Sequence, residues 1–272
     1  MLCHFFFNAQ IYLPCLKEHF GMELEQFCPD IIVAAGFSNY YRKYPKYKET
    51  FGEDKATWTC YLDTVTIEEH LEEIKSKIPK DRPYLLSGHS MGGALLIELM
   101  KREKLENCKG IILVGASQRI YPHWFLNFTF YTPVFVIYAF AITLVLSYPL
   151  ILLITGFNTH KAKQAAFEGL ERLLENGARR MKAEYNQCLR KVGKNTNPIV
   201  EENKAIPVLF IRLKKDMMVK EEDVSRTKKL FEVYKERIIP TDSVHLTHDF
   251  DDDVAKMIKE EYPFFGYSAS KC

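Results

Sequence analysis

The segment Gly88-His89-Ser90-Met91-Gly92-Gly93 gives the clearest indication of a reaction in this sequence. A serine hydroxyl is a weak nucleophile until a tight turn lifts it clear of its surroundings, toward a base and beside amides that receive the charge of a carbonyl oxygen. The spacing G-x-S-x-G serves that need, because the neighbours two positions before and after the serine must be small, and Gly88 and Gly92 are. The apolar run Pro83-Tyr-Leu-Leu-Ser leads in as a strand, and Met91 to Arg102 leads out as a helix with Leu95, Leu96 and Leu99 on its inner face. The start of that helix would aim amides at a developing oxyanion, with the backbone N–H of Met91 first among them. A small-residue turn without chemistry is the competing reading. The strand before, the helix after and the paired glycines together favour the nucleophile.

The rest of the chain supplies a frame for such a turn. Leu2 to Phe7 reads as a first strand, followed by helical spacing at Ile11, Leu13, Leu16 and Phe20. Asp30 to Ala35 reads as a second strand that stops at Gly36, and residues 37–65 are polar and aromatic without clear periodicity. Thr66 caps a helix with Glu69 placed for a capping box and Ile67, Leu71, Ile74 and Ile78 on one face. Tyr84 onward is the third strand, Gly110 to Ala116 the fourth, Pro207 to Arg212 the fifth and Arg237 to Pro240 the sixth. Strands alternating with helices imply a parallel sheet covered on both faces.

Composition narrows the field. With 47% hydrophobic and 26% charged residues, the chain is ordinary globular protein able to bury a large core, and a net charge of +2 selects no acidic partner. The basic and aromatic stretch Tyr40 to Lys48 therefore reads as a solvated loop and not as a nucleic-acid or headgroup contact. Seven cysteines, without a CxxC pair or zinc spacing, read as reduced thiols of a reducing compartment. The apolar N-terminus lacks the positive charge of a signal peptide. Asp251 to Asp253 reads as the acidic first turn of a C-terminal helix.

Between the fourth and fifth strands the pattern breaks. Ile120 to His160 contain no Asp, Glu, Lys or Arg, and Lys161 to Val192 are amphipathic, with Phe167, Leu170, Leu174, Met181, Tyr185 and Leu189 at helical spacing. Residues 119–203 read as an insertion between two core strands. The apolar part is long enough for one membrane span, but two spans need about 40 apolar residues. A single crossing would leave Ser90 and the later core strands on opposite sides of a bilayer. Pro133 and Pro149 instead divide it into shorter helices that cover the site, with a true transmembrane element as the competing reading. Such helices could line a pocket for acyl chains or dip into a membrane surface through residues 124–157.

The glycine-serine turn resembles the nucleophile elbow of the α/β-hydrolase family, in the GHSMGG form common among its lipases, esterases and acylglycerol hydrolases. The resemblance covers residues 1–118 and 204–268 and implies an α/β fold: a mostly parallel sheet with helices on both faces and a helical cap, residues 119–203, inserted between core strands. It implies a core of 1–118 and 204–272, and a triad in the order serine, acid, histidine. Pro207-Val-Leu-Phe-Ile-Arg-Leu-Lys-Lys-Asp216 resembles the family's penultimate strand with its acidic residue. Asp216 is thus the implied acid, with Leu213 where the family often has glycine. Glu221, Glu222 and Asp223 are rivals that look like the first turn of the next helix. His245, with His248 three residues on, matches the histidine loop after the last strand, so His245 is the implied general base and acid. A His245–His248 metal pair competes, but no third ligand is evident. The second oxyanion donor would come from the loop after the first core strand, by position Phe7 or Asn8 beyond His4, although no glycine follows that histidine. The antiparallel strand pair that usually opens the family's sheet is missing, which implies a reduced sheet or an N-terminally truncated sequence.

The expectation is a serine hydrolase that cleaves a carboxylic ester with an apolar acyl group, needs no metal or organic cofactor, binds no nucleic acid, and resides in the cytoplasm or peripherally on membranes. A thioesterase or acyltransferase with the same triad is one alternative. A non-catalytic, membrane-associated binding protein on the hydrolase scaffold is the other.

Overall fold

The computed structural model describes residues 28–39, 43–120, 124–139, 141–143, 171, 173–216, 218–243 and 250–268. Among the described residues, six strands form one sheet: β1 (Asp30–Ala34), β2 (Ala56–Trp58), β3 (Tyr84–His89), β4 (Cys108–Val114), β5 (Val208–Asp216) and β6 (Tyr234–Ser243). Their order is β2-β1-β3-β4-β5-β6, and every neighbouring pair is parallel. All residues of β1 and β3 are buried, which explains why these strands read as continuous apolar runs and not as alternating ones.

The helices linking them are α1 (Pro45–Phe51), α2 (Ile67–Lys77) and α3 (Met91–Arg102), with α4 (Trp124–Tyr131) and α5 (Ala178–Glu184) in the insertion and α6 (Glu221–Lys228) and α7 (Asp251–Glu260) at the end. From β1 the chain steps outward to β2, then reverses past β1 to β3 and continues in that direction. Right-handed crossovers must then place α1 on one face and the connecting helices after the reversal, α2 and α3, on the other. Packing agrees, since α2 lies against α3, and α7, which follows the last strand and is bound by no crossover, returns to lie against α1. The reversal leaves a crevice at the carboxyl ends of β1 and β3, where open parallel sheets bind their ligands.

Helix α2 begins as read: the Thr66 side chain accepts from the Glu69 amide while the Glu69 carboxylate accepts from the Thr66 and Val65 amides. Those two amides hold the Glu69 carboxyl below its ordinary pKa. Helix α3 is buried from Met91 to Lys101. Its far end is tied down by the buried Asn203, whose amide donates to the carbonyls of Met100 and Glu103 at 2.9 and 2.7 Å and whose oxygen accepts from the Leu105 amide at 2.9 Å.

Several expectations need correction. Residues 37–65 hold α1 and β2, and the part of the basic and aromatic stretch that lies in α1 is no solvated loop. Tyr44, Tyr47 and Phe51 are buried at helical spacing while the lysines between them face out. Strand β5 runs four residues past Arg212 because its polar tail pairs with β6. Strand β6 extends beyond Arg237–Pro240 on both sides, and it tolerates Pro240 because it is the outermost strand described. Cys28 is in a disulfide whose partner lies outside the described residues, so the cysteine argument for a wholly reduced chain does not hold there. Cys60, Cys108 and Cys188 are not in disulfides, and burial pushes the Cys108 thiol up to about 12.

In the insertion, α4 stops before Pro133 and a second helical stretch starts at residue 134, as the proline dictates. Among the described residues, no helix is long and apolar enough to cross a membrane. The strand read at Leu2–Phe7, the helical spacing after it, and Pro149 lie outside the described residues.

Candidate active site

Ser90 stands between β3 and α3 with φ 50° and ψ −116°, a conformation that strains any residue with a Cβ. Three features impose it. The Ser90 amide donates to the Val114 carbonyl of β4 at 2.9 Å, and the Ser90 carbonyl accepts from Gly93 and Ala94 in the first turn of α3. The strand and helix then approach so closely that a Cβ on Gly88 would lie 2.5 Å from the Gly93 Cα, and one on Gly92 only 2.1 Å from the Ala34 carbonyl oxygen. The two glycines read from the sequence as small neighbours are thus required by backbone on both sides. Ser90 itself is partly exposed, and its hydroxyl does not cap α3.

His89 turns the other way. It is buried, its ring lies 5.1 Å from that of Tyr44 and 5.8 Å from that of Tyr47, and its Nε2 is 2.8 Å from the Tyr47 hydroxyl. Through these two tyrosines of and beside α1 it braces the turn.

The strand hydrogen-bonded to β3 on the side of the crevice is β1, and β4 occupies the other side. The loop that reaches Ser90 is Ala35–Asn39 at the end of β1, and Phe7 and Asn8 lie outside the described residues. A Cβ on Gly36 would sit 3.2 Å from the His89 carbonyl oxygen and 3.5 Å from the Ser90 Cβ. The amide of Ala35 donates to the buried Thr59 hydroxyl, and that of Asn39 to the Gly36 carbonyl. Among the described residues, the amides of Phe37 and Met91 have no hydrogen-bond acceptor. Sequence reasoning did not single out this loop, because it looked for the second oxyanion donor after the first apolar run, beyond His4. The available signal was Gly36 directly after a short apolar strand.

Asp216 is the last residue of β5, and its carboxylate accepts from the amides of Met218 and Val219 at 2.8 and 3.0 Å. It stands opposite Ser243, the last residue of β6, in the sheet register. His245 and His248 lie outside the described residues. The rivals Glu221, Glu222 and Asp223 form the first turn of α6, as their spacing suggested. Glu221 reaches Arg212 at 3.3 Å, and Glu222 is 81% exposed beside Arg226. Leu213, where the resembling family often has glycine, is buried in the core.

The insertion reaches this corner of the sheet. Phe37 packs edge-on against Phe130 and Tyr185, with ring centroids 5.7 and 6.2 Å apart, and Phe130 stacks on Tyr185 at 4.8 Å. After α5 the helix widens into a π-type turn, Tyr185–Leu189, which brings both Tyr185 and Cys188 inward.

These features can be compared with known proteins. A search of curated proteins finds none that matches this chain. A lipase-esterase related protein from Clostridium acetobutylicum ATCC 824 is similar in structure, with a TM-score of 0.57 and 17% identity over 89% of this chain and 96% of that one. So is the enol-lactonase from Burkholderia xenovorans LB400, with a TM-score of 0.55 and 14% identity over 88% and 91%. The RedJ thioesterase from the prodiginine biosynthetic pathway in Streptomyces coelicolor has a TM-score of 0.53 and 11% identity over 94% and 99%. At these identities the likeness concerns the fold alone. The family model described as "Serine aminopeptidase, S33" matches residues 63–239, well over half of the chain and spanning the elbow, the insertion and β5. The chain therefore belongs to the serine aminopeptidase family of α/β hydrolases.

Proposed function

We propose that this enzyme cleaves a carboxylic ester, or a closely related acyl bond, by way of an acyl-enzyme on Ser90. The observation that carries this reading is the elbow: a partly exposed serine at φ 50°, at the carboxyl end of β3 and at the point where the strand order reverses. His245 takes the serine proton as the hydroxyl attacks and returns it to the leaving group. Asp216 orients that imidazole and stabilises its cation. The register supports this assignment, since Asp216 stands opposite Ser243 and His245 follows two residues later. The oxyanion receives the amide of Met91 and, from the loop beside it, the amide of Phe37. Residues 119–203 form the cap, and its aromatic lining favours an apolar acyl group. Among the described residues of 124–157, Phe128, Tyr131, Phe135 and Ile142 are more than half exposed and support contact with a membrane surface.

A fluorophosphonate probe tests the nucleophile. It should label the wild-type protein at Ser90 and leave Ser90→Ala unlabelled, and a folded wild-type protein that takes no label would overturn the reading. The substrate class is read from a panel of p-nitrophenyl esters of short and long acids, an acyl-coenzyme A and an aminoacyl p-nitroanilide. Fastest turnover on the esters is expected. Preference for the thioester or the anilide would move the assignment to a thioesterase or a peptidase.

A further inference from the structure

Ser38 is the residue after Phe37, and it also has a left-handed backbone, with φ 58°. The turn Gly36–Asn39, closed by the Asn39 amide on the Gly36 carbonyl, puts Ser38 at the third position, where positive φ belongs but glycine is the usual residue. Beyond that turn, both backbone groups of Ser38 are held by the insertion. The Ser38 amide donates to the Glu184 carboxyl at 3.2 Å, and the Asn176 side chain donates to the Ser38 carbonyl at 2.9 Å. Glu184 is fully buried at the end of α5. Its other oxygen lies 3.1 Å from Nε2 of His70, which is also fully buried, and Nδ1 of that ring donates to the Thr66 carbonyl at 2.6 Å. The ring of Tyr61 lies against the imidazole at 4.3 Å.

Burying a carboxyl group among apolar residues is costly unless each oxygen is hydrogen-bonded, and apolar side chains of similar volume commonly stabilise a core as well or better. A buried glutamate that joins α2 to one backbone amide therefore calls for a task beyond packing. The amide it grips adjoins that of Phe37. On its other side Phe37 is fixed through Gly36, which lies against Ser90.

We infer that Glu184 and Asn176 are positioning residues: by clamping Ser38 from the insertion, they set the Phe37 amide at the oxyanion site. The clamp rests on the reading of Ser90 as nucleophile and of Phe37 as the second oxyanion donor. It makes the insertion part of the catalytic apparatus, so that the site is complete only when the insertion is docked on the loop after β1.

The test compares Glu184→Ala, Glu184→Gln and Asn176→Ala on p-nitrophenyl butyrate and on its thionoester. Sulfur accepts hydrogen bonds poorly, so the ratio of kcat for the ester to kcat for the thionoester reports contact with the oxyanion donors. A loss of folded enzyme lowers both rates and leaves the ratio alone. Glu184→Ala should lower kcat on the ester on the order of 10- to 100-fold, with KM changed by less than about twofold and the ratio falling in step with kcat. Glu184→Gln should recover most of the rate, because its amide oxygen accepts from Ser38 and its NH2 donates to the Nε2 of His70. Asn176→Ala, which removes a half-buried side chain, should shift the ratio in the same direction by roughly threefold or more. If Glu184→Ala does not fold, Asn176→Ala decides alone. An unchanged ratio in the folded variants, with Ser90 labelled in the wild type, overturns the clamp and leaves the nucleophile standing. A wild-type protein that neither labels nor turns over overturns both.

Discussion

Ser90 and Ser38 sit in adjacent loops, both with left-handed backbone, and they are held by opposite means. Ser90 is locked from within the core: β4 takes its amide, α3 takes its carbonyl, and two glycines let the strand and helix close on either side. Ser38 is held from outside the core, by two side chains that lie well over a hundred residues away in sequence. The first arrangement is built from a run of six residues and the sheet beneath it. The second exists only once an insertion has folded back onto the sheet. On the proposed reading, the serine that attacks must stay fixed whatever covers the site, whereas an oxyanion amide held by the insertion can respond to it. The two serines thus separate a rigid half of the site from a conditional half.

The largest effect should come from the rigid half. Ser90→Ala is expected to lower kcat on p-nitrophenyl butyrate by roughly 10⁴- to 10⁶-fold while the protein still unfolds cooperatively. A residual rate within tenfold of wild type would mean that the elbow is not the reacting centre. Next, Gly92→Ala forces a methyl group against the Ala34 carbonyl oxygen, where no flexible side chain can give way, and should cost about 3 kcal/mol or more in urea unfolding. If that variant were as stable as wild type, the distinction between the two serines would lose its basis. Asn203→Ala acts at the far end of α3. It strands two carbonyls and one amide, and about 2–3 kcal/mol of stability should be lost. Ser38→Gly should change stability least, by about 1 kcal/mol or less in either direction, since glycine accepts the positive φ and both clamping bonds go to backbone atoms. A large loss there would show that the Ser38 side chain matters and would weaken the contrast.

Much of the fold was legible because the buried parallel strands leave an unbroken apolar trace and the helices have capping signals. Helix α3 has the bounds read from its pattern, Met91 to Arg102, and α2 begins at Thr66 with its capping box intact. What escaped were short elements in polar surroundings. Helix α1 shows only Tyr44, Tyr47 and Phe51 as an apolar face, and tyrosines among lysines look like a wet surface until their rings are buried around His89. Strand β2 has three residues, too few for any period to show. Which strand lies beside β3 could not be read at all, because apolar character identifies a strand without saying which strand it pairs with.

The sequence alone determined the elbow. Its spacing of glycines around Ser90 follows from local sterics, which are the same wherever a strand turns that sharply into a helix. The tertiary structure decided which loop would face that serine, and that Ser38, His70 and Glu184 would meet. Strand order and the docking of an insertion depend on how distant surfaces fit. A chain's residue types record that a carboxyl can be buried, and only the folded arrangement supplies the amide and the imidazole that make burying it tolerable.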